Sequence, residues 1–409
     1  RGGRGVRFPA IAARGVQRYD CVMETTNGAH GNADLIAIIR ADIAAAGGRI
    51  TFARYMELAL THPVHGYYAS GRGAPGREGA DFLTAPETSP YFGRCLAVQI
   101  AECWERMGAP ADFALWEPGA GAGTLAGAVL DALRDDAPAA YRAIMYWLDD
   151  LSPLTRDRAH SALTEHVEAE HVAYGRPLVG FHGVVLANEF VDALPVHRVR
   201  IEGGALHEAY VTWDAEQNTF AEQWDAPSTP ELARFVAENG IALAEGQVAE
   251  VSLAALDWIE EVSHRIEQGY VIVVDYGDTA PTLYRPGRFP EGSLMCYYRH
   301  TANREPYQHV GEQDMTAHVD FSALERVATR AGLTTLGLTT QAAFLASLGL
   351  GEMLYAATQR AINPFRYIAE RNAVVRLIEP SAMGRNRVLV LGKAVATEPP
   401  LRGLTEPPI

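Results

Sequence analysis

The chain has 409 residues, 48% of them hydrophobic, and so exceeds the roughly 250–300 residues at which a single core stops growing; one enlarged domain with insertions, or a domain with a satellite, is expected. A net charge of -15 speaks against a nucleic-acid surface, which needs clustered cations to displace counterions. Four scattered cysteines (Cys21, Cys95, Cys103 and Cys296) suggest neither a zinc knuckle nor a disulfide framework, and there is no apolar run of about 18 residues that would span a membrane.

In chain order, residues 1–32 read as a non-native or disordered leader. Its first 22 residues hold five arginines and one acid, a pattern that fits a tag remnant or upstream sequence, with a mitochondrial transit peptide as the alternative. The chain has a single lysine, Lys393, a bias that reads as the codon composition of a GC-rich bacterium and favours bacterial cytoplasm over the mitochondrial matrix. Residues 33–110 form an N-terminal helical and loop segment: a helix over 33–47 ending at Gly47-Gly48, a second helix with Thr51 as N-cap, an irregular Gly/Pro/aromatic loop, and a helix from Tyr91 to Met107. Over 111–395 apolar strands alternate with amphipathic helices, which predicts a doubly wound α/β fold with a parallel sheet covered on both faces. Two stretches interrupt it. Residues 196–225 alternate with period two around Gly203-Gly204, a hairpin, and 278–318 form a Pro/Gly/Tyr/His-rich excursion that could cover a site as a lid. Residues 396–409 form a tail.

The first strand of the alternating series runs into Glu117-Pro118-Gly119-Ala120-Gly121-Ala122-Gly123 and then a helix opening at Thr124. Glycines at such a turn let backbone approach a ligand closely. A dinucleotide fingerprint would need its third glycine at position 124, which is threonine, so the pattern departs from the NAD type. Glu117, two residues before the first glycine, would repel a pyrophosphate and attract an ammonium. A nucleoside with a cationic tail fits best, and S-adenosylmethionine carries a sulfonium, an ammonium and no phosphate. The next strand ends at Asp149-Asp150, where a carboxylate can accept both ribose hydroxyls; register favours Asp150, and capping of the helix that opens at Ser152-Pro153 is the alternative for both acids.

The ordered series YMELALTHPVHGYY, DFLTAPETSPYFG, EPGAGAGTL, LSPL, NEFVDALPV, VVDYG, DMTAHVDF, TQAAFLASLG and MGRNRVLVL resembles the MidA-like family over about 50–395. Mitochondrial members of that family are respiratory complex I assembly factors that act as protein arginine methyltransferases. The resemblance implies a Rossmann-like class I methyltransferase sheet that takes S-adenosyl-L-methionine. Carried over by position, Glu117, Gly119, Gly121, Gly123 and Thr124 belong to the cofactor turn. Asp150 stands where the family commonly has glutamate, Thr84 and Pro86 lie in a loop like the family's T-x-P-E segment, and Asn188 and Glu189 face the transfer site.

An arginine substrate presents a guanidinium protonated at neutral pH, with pKa above about 12, so carboxylates must grip it. Glu189 is expected to clamp it, with Asp192 assisting or capping the turn before Leu194-Pro195. Asp275, at another strand end, and His318 are further catalytic candidates; Asp320 reads better as a helix N-cap. Tyr67, Tyr68, Tyr297 and Tyr298 could offer aromatic faces to the cation. Other readings stay open: a small-molecule methyltransferase, or an assembly factor that binds a partner subunit with little catalysis. The partner is then a protein, a respiratory-complex subunit being one candidate, or a small molecule; a homodimer is also expected as an option, and no metal.

Overall fold

The computed structural model describes residues 30–71, 84–360 and 364–406. The Arg-rich leader with Cys21, and residues 72–83 of the Gly/Pro loop, lie outside the described residues.

Seven strands form the central sheet: β1 (Phe113–Pro118), β2 (Ile144–Asp149), β3 (Val172–Tyr174), β4 (Phe181–Asn188), β5 (Ile266–Asp275), β6 (Thr334–Thr340) and β7 (Arg387–Lys393). Their order across the sheet is β3-β2-β1-β4-β5-β7-β6. The chain starts in the middle, works outward to β3, then returns past β1 to fill the other half. The crevice between β1 and β4, where the strand order reverses, is the topological switch point at which open α/β sheets bind ligands. The apolar runs of β1, β4 and β5 are buried because helices cover both faces. On one face lie Pro90–Arg106 and Thr124–Asp136, and on the other Leu253–Arg265 and Phe321–Arg330.

The sheet departs from the expected parallel arrangement at one place: β7 runs antiparallel to both β5 and β6. A strand buried on both faces shows the same apolar run in either direction, so hydropathy carries no record of its sense. One strand and the helices of one connection escaped sequence reading. β3 is a three-residue edge strand, too short to show a period, and helices Gln341–Ser347, Leu350–Arg360 and Pro364–Ile378 fill the connection from β6 to β7.

The predicted hairpin exists, with His197–Glu202 paired to Ala205–Asp214 around Gly203-Gly204. It is the middle of a larger antiparallel sheet that adds Ile50–Thr51, Thr219–Asp225 and Val248–Val251. The 278–318 excursion folds into three short strands, Met295–Tyr298, Thr301–Asn303 and Asp314–Thr316. It is a packed layer: Leu294, Cys296, Val310 and Met315 share a core with Leu35, Ile39, Phe52, Tyr55 and Met56 of the N-terminal helices Ala33–Ala45 and Phe52–Thr61. Among the described residues no helix is long and apolar enough to cross a membrane.

Candidate active site

A cleft with a cavity volume of about 220 Å³ opens at the C-terminal ends of β1, β2 and β4. Its walls bring together nine of the sequence-predicted residues: Thr84, Pro86, Glu117, Gly119, Gly121, Thr124, Asp150, Asn188 and Glu189.

One half of the cleft is the turn from β1 into the helix Thr124–Asp136. Gly119, Gly121 and Gly123 have φ of 70°, 54° and 78°, values that a side chain would strain. The turn is fastened to the end of β2: Gly119 N–H donates to the Asp149 carbonyl at 2.7 Å, and Gly121 N–H to Asp150 Oδ2 at 3.0 Å. Asp150 Oδ1 accepts from Ser152 N–H at 2.9 Å, so this carboxylate bridges turn and strand end with lone pairs to spare. Gly123 does not line the cleft. A Cβ there would meet Leu163 Cδ1 at 3.1 Å and Ala159 Cβ at 3.2 Å, so its bareness serves the close approach of helix Pro153–Ala162 instead of a ligand.

Glu117 is buried in the cleft floor, with the Tyr146 hydroxyl donating to its Oε2 at 2.7 Å. Burial pushes its carboxyl up to about 8, and Asp150 adds to the shift. Desolvation also raises Asp150, although the two N–H donors oppose it.

The other half is the end of β4. Glu189 has φ 47°, an unusual conformation for a non-glycine residue and one that often marks a functional turn. Its Oε1 accepts from Ala85 N–H at 3.0 Å and its Oε2 from the Tyr276 hydroxyl at 3.3 Å. Burial pushes its carboxyl up to about 7. The short helix Ala85–Thr88 thus aims its first N–H at Glu189, and Glu87 from the same turn lines the cleft with its carboxyl raised to about 6 by burial.

Three predicted catalytic residues lie elsewhere. Asp275 is fully buried and accepts N–H donors from Phe190, Val191, Asp192 and Tyr276 at 2.8–3.2 Å. It ties down the turn after β4, a positioning role that a strand-end acid shares with a ligand contact in sequence. Burial raises the Asp275 carboxyl to about 7, and these donors oppose the shift. Burial beside Asp275, Asp314 and Glu189 pushes the Asp192 carboxyl well above the usual range. Asp192 is itself buried behind the cleft wall. His318 borders a separate, smaller cavity against Phe289, where burial lowers it to about 4. Asp320 is the N-cap of Phe321–Arg330, as its position suggested. Of the tyrosines, Tyr68 lines the cleft, Tyr67 belongs to the N-terminal core, and Tyr298 stacks on His309.

Sequence reasoning passed over Glu87, Arg176 and Tyr146. Glu87 had a signal, the S/T-x-x-E capping pattern of Thr84-Ala85-Pro86-Glu87. Arg176, which lines the cleft and pairs with Asp149 and Glu261 at 2.8 Å each, follows the unseen strand β3.

Residues 95–339 match the model of the family described as "Putative S-adenosyl-L-methionine-dependent methyltransferase". The chain belongs to this family. Its S-adenosylmethionine-dependent methyltransferase assignment is consistent with a crystal structure of a Burkholderia thailandensis superfamily member bound to S-adenosyl-homocysteine. That structure is 34% identical, covers 91% of this chain and 94% of that one, and superposes with TM-score 0.82. Among curated relatives, the Drosophila melanogaster "Protein arginine methyltransferase NDUFAF7 homolog, mitochondrial" is 28% identical over 93% of this chain and 90% of its own length. The Rattus norvegicus "Protein arginine methyltransferase NDUFAF7, mitochondrial" is 28% identical over 82% and 79%. The MidA-like resemblance and the class I methyltransferase fold therefore stand, and S-adenosylmethionine is the cofactor of the family.

Proposed function

We propose that this methyltransferase N-methylates arginine side chains of a protein substrate, with Glu189 gripping the guanidinium. The observation that supports this most is an imbalance of hydrogen-bonding groups. Among the described residues, Glu87 Oε1 and Asn188 Oδ1 in the cleft are buried acceptors without a partner, whereas no cleft-lining donor is so orphaned. Among the described residues, the hydrogen-bond partners of the Glu189 carboxyl are Ala85 N–H and the Tyr276 hydroxyl, neither of them cationic. Orphaned buried acceptors cost about 1–3 kcal/mol each until met, so the site is built for ligands rich in N–H donors and positive charge. The curated relatives named as protein arginine methyltransferases point to the same acceptor.

The residues present fit the cofactor. In this reading Glu117 would take the ammonium of its aminoacyl end and Asp150 the ribose hydroxyls, with Gly119 and Gly121 leaving the backbone open beside them. When bound, S-adenosylmethionine supplies an electrophilic methyl on its sulfonium. The protein's share is to hold the acceptor nitrogen in line and to exclude water. Glu189 is held by Ala85 N–H and the Tyr276 hydroxyl, so its remaining lone pairs are fixed in direction. A guanidinium nitrogen that accepts the methyl would have to give up one proton. Glu189, with its carboxyl raised to about 7, can take that proton at neutral pH.

Incubation with methyl-labelled S-adenosylmethionine and a pool of peptides with a central arginine tests the reading, with total hydrolysis and mass spectrometry of the products. Labelled methylarginine is expected. Label on another residue, or none on a pool that the enzyme has every opportunity to use, would overturn the arginine assignment.

A further inference from the structure

The acceptor side of the cleft is completed from outside the methyltransferase sheet. Tyr68, which follows the N-terminal helix Phe52–Thr61, lines the same cleft as Glu189. Its hydroxyl donates to Asp314 Oδ1 at 2.5 Å, and the same oxygen accepts from Met315 N–H at 2.9 Å. Asp314 is fully buried and opens the short strand Asp314–Thr316 of the 278–318 layer. That strand is stitched to the turn behind Glu189, since Ala317 N–H donates to the Asp192 carbonyl at 2.9 Å. Two phenol-to-carboxylate pairs therefore each place one member at the cleft, Tyr276 with Glu189 and Tyr68 with Asp314.

A hydrogen bond to a fully buried carboxylate fixes the phenol hydrogen and turns the lone pairs of its oxygen away from Asp314. With its hydroxyl held in this way, Tyr68 stands at the cleft wall in a set orientation. A planar guanidinium with five N–H donors in a fixed fork can use acceptors from two directions, whereas an ammonium is a compact point charge.

We propose that Asp314 is a positioning residue for the methyl acceptor: by fixing Tyr68 it gives the site its second contact direction and its preference for guanidinium over ammonium. This rests on the arginine reading above and goes beyond it, assigning acceptor recognition to the layer outside the sheet. The expected partner chemistry is an arginine side chain approached from Glu189 on one side and Tyr68 on the other.

The test uses Tyr68→Phe, Asp314→Ala and the double variant of the full chain. Steady-state transfer to the central-arginine and central-lysine peptide pools is measured beside calorimetric binding of S-adenosyl-homocysteine. Tyr68→Phe removes one hydroxyl and keeps the ring, so it reports even if the buried Asp314→Ala does not fold. Each single variant is expected to raise KM for the arginine pool about tenfold, to narrow the preference over lysine, and to leave cofactor affinity within about twofold. The double variant should lose no more than the worse single one, because both act through one contact. Unchanged KM in Tyr68→Phe with an active wild type would overturn this proposal and leave the arginine reading standing. The same holds for parallel losses of cofactor binding and thermal stability. A wild type that transfers nothing to the arginine pool would overturn both.

Discussion

The two ends of the cleft are built on different plans. The end that we assign to the cofactor comes from one run of sequence, Glu117 to Asp150, and relies on backbone: the positive-φ glycines Gly119 and Gly121 and a strand-end carboxylate that bridges to the turn. The end that we assign to the methyl acceptor draws on four separated places, the Thr84–Glu87 turn, the end of β4, Tyr276 after β5, and Tyr68 with its distant partner Asp314, and relies on buried carboxylates. A shared donor can be read by a compact local motif, whereas a particular acceptor needs charge positioned by tertiary packing. If that division holds, damage at one end should leave the other working.

The largest effect is expected from Gly121→Val. Its φ of 54° is disfavoured for a β-branched residue, and the new side chain would stand in the cleft. Calorimetric titration should show S-adenosylmethionine affinity falling more than about a hundredfold, with transfer lost in consequence. Near-normal binding would break the comparison at its cofactor end.

Glu117 offers a smaller, pH-dependent effect. Its carboxyl lies near 8 in the folded protein against an ordinary value of 4.5. Between those values the folded state holds a proton that the unfolded chain has lost, so stability of the cofactor-free protein falls as pH rises through the window. Glu117→Gln removes this slope. At pH 8 its thermal midpoint should exceed that of wild type by about 2 °C, while at pH 5 the two should agree. Cofactor binding to wild type near pH 7 should release protons, visible as a dependence of calorimetric enthalpy on the buffer's ionisation enthalpy, and the variant should lose that release.

The smallest effect belongs to His318. It borders a separate small cavity, away from both ends of the cleft. His318→Ala should change kcat/KM by less than about twofold, within the range of substitutions remote from reacting atoms. A loss of a hundredfold would restore the sequence-based suggestion that it is catalytic.

The contrast between the two ends also explains what was legible in the sequence. The β1 turn and Asp150 could be read because their contacts run between neighbouring elements, within 29 residues. Glu189 stood out as an acid at the end of an apolar strand. Asp275 stood out for the same reason, yet it serves the turn after β4; only the four N–H groups around it distinguish a tether from a ligand contact. Asp314 was hidden because its partner Tyr68 lies 246 residues away, and no periodicity or spacing records such a pairing. The reversed β7 and the three-residue β3 were hidden for simpler reasons, one being buried on both faces and the other very short.

The separation of the two ends is tested most directly by Glu189→Gln, followed by calorimetric titration with S-adenosylmethionine and by methyl transfer to the arginine peptide pool on the same preparation. The substitution keeps the shape and the contacts to Ala85 and Tyr276 but removes the charge that grips and deprotonates a guanidinium. The predicted result is cofactor affinity within about threefold of wild type and transfer reduced at least about a thousandfold. Loss of binding and transfer together would contradict the account, placing Glu189 with the cofactor and leaving the acceptor end without its clamp.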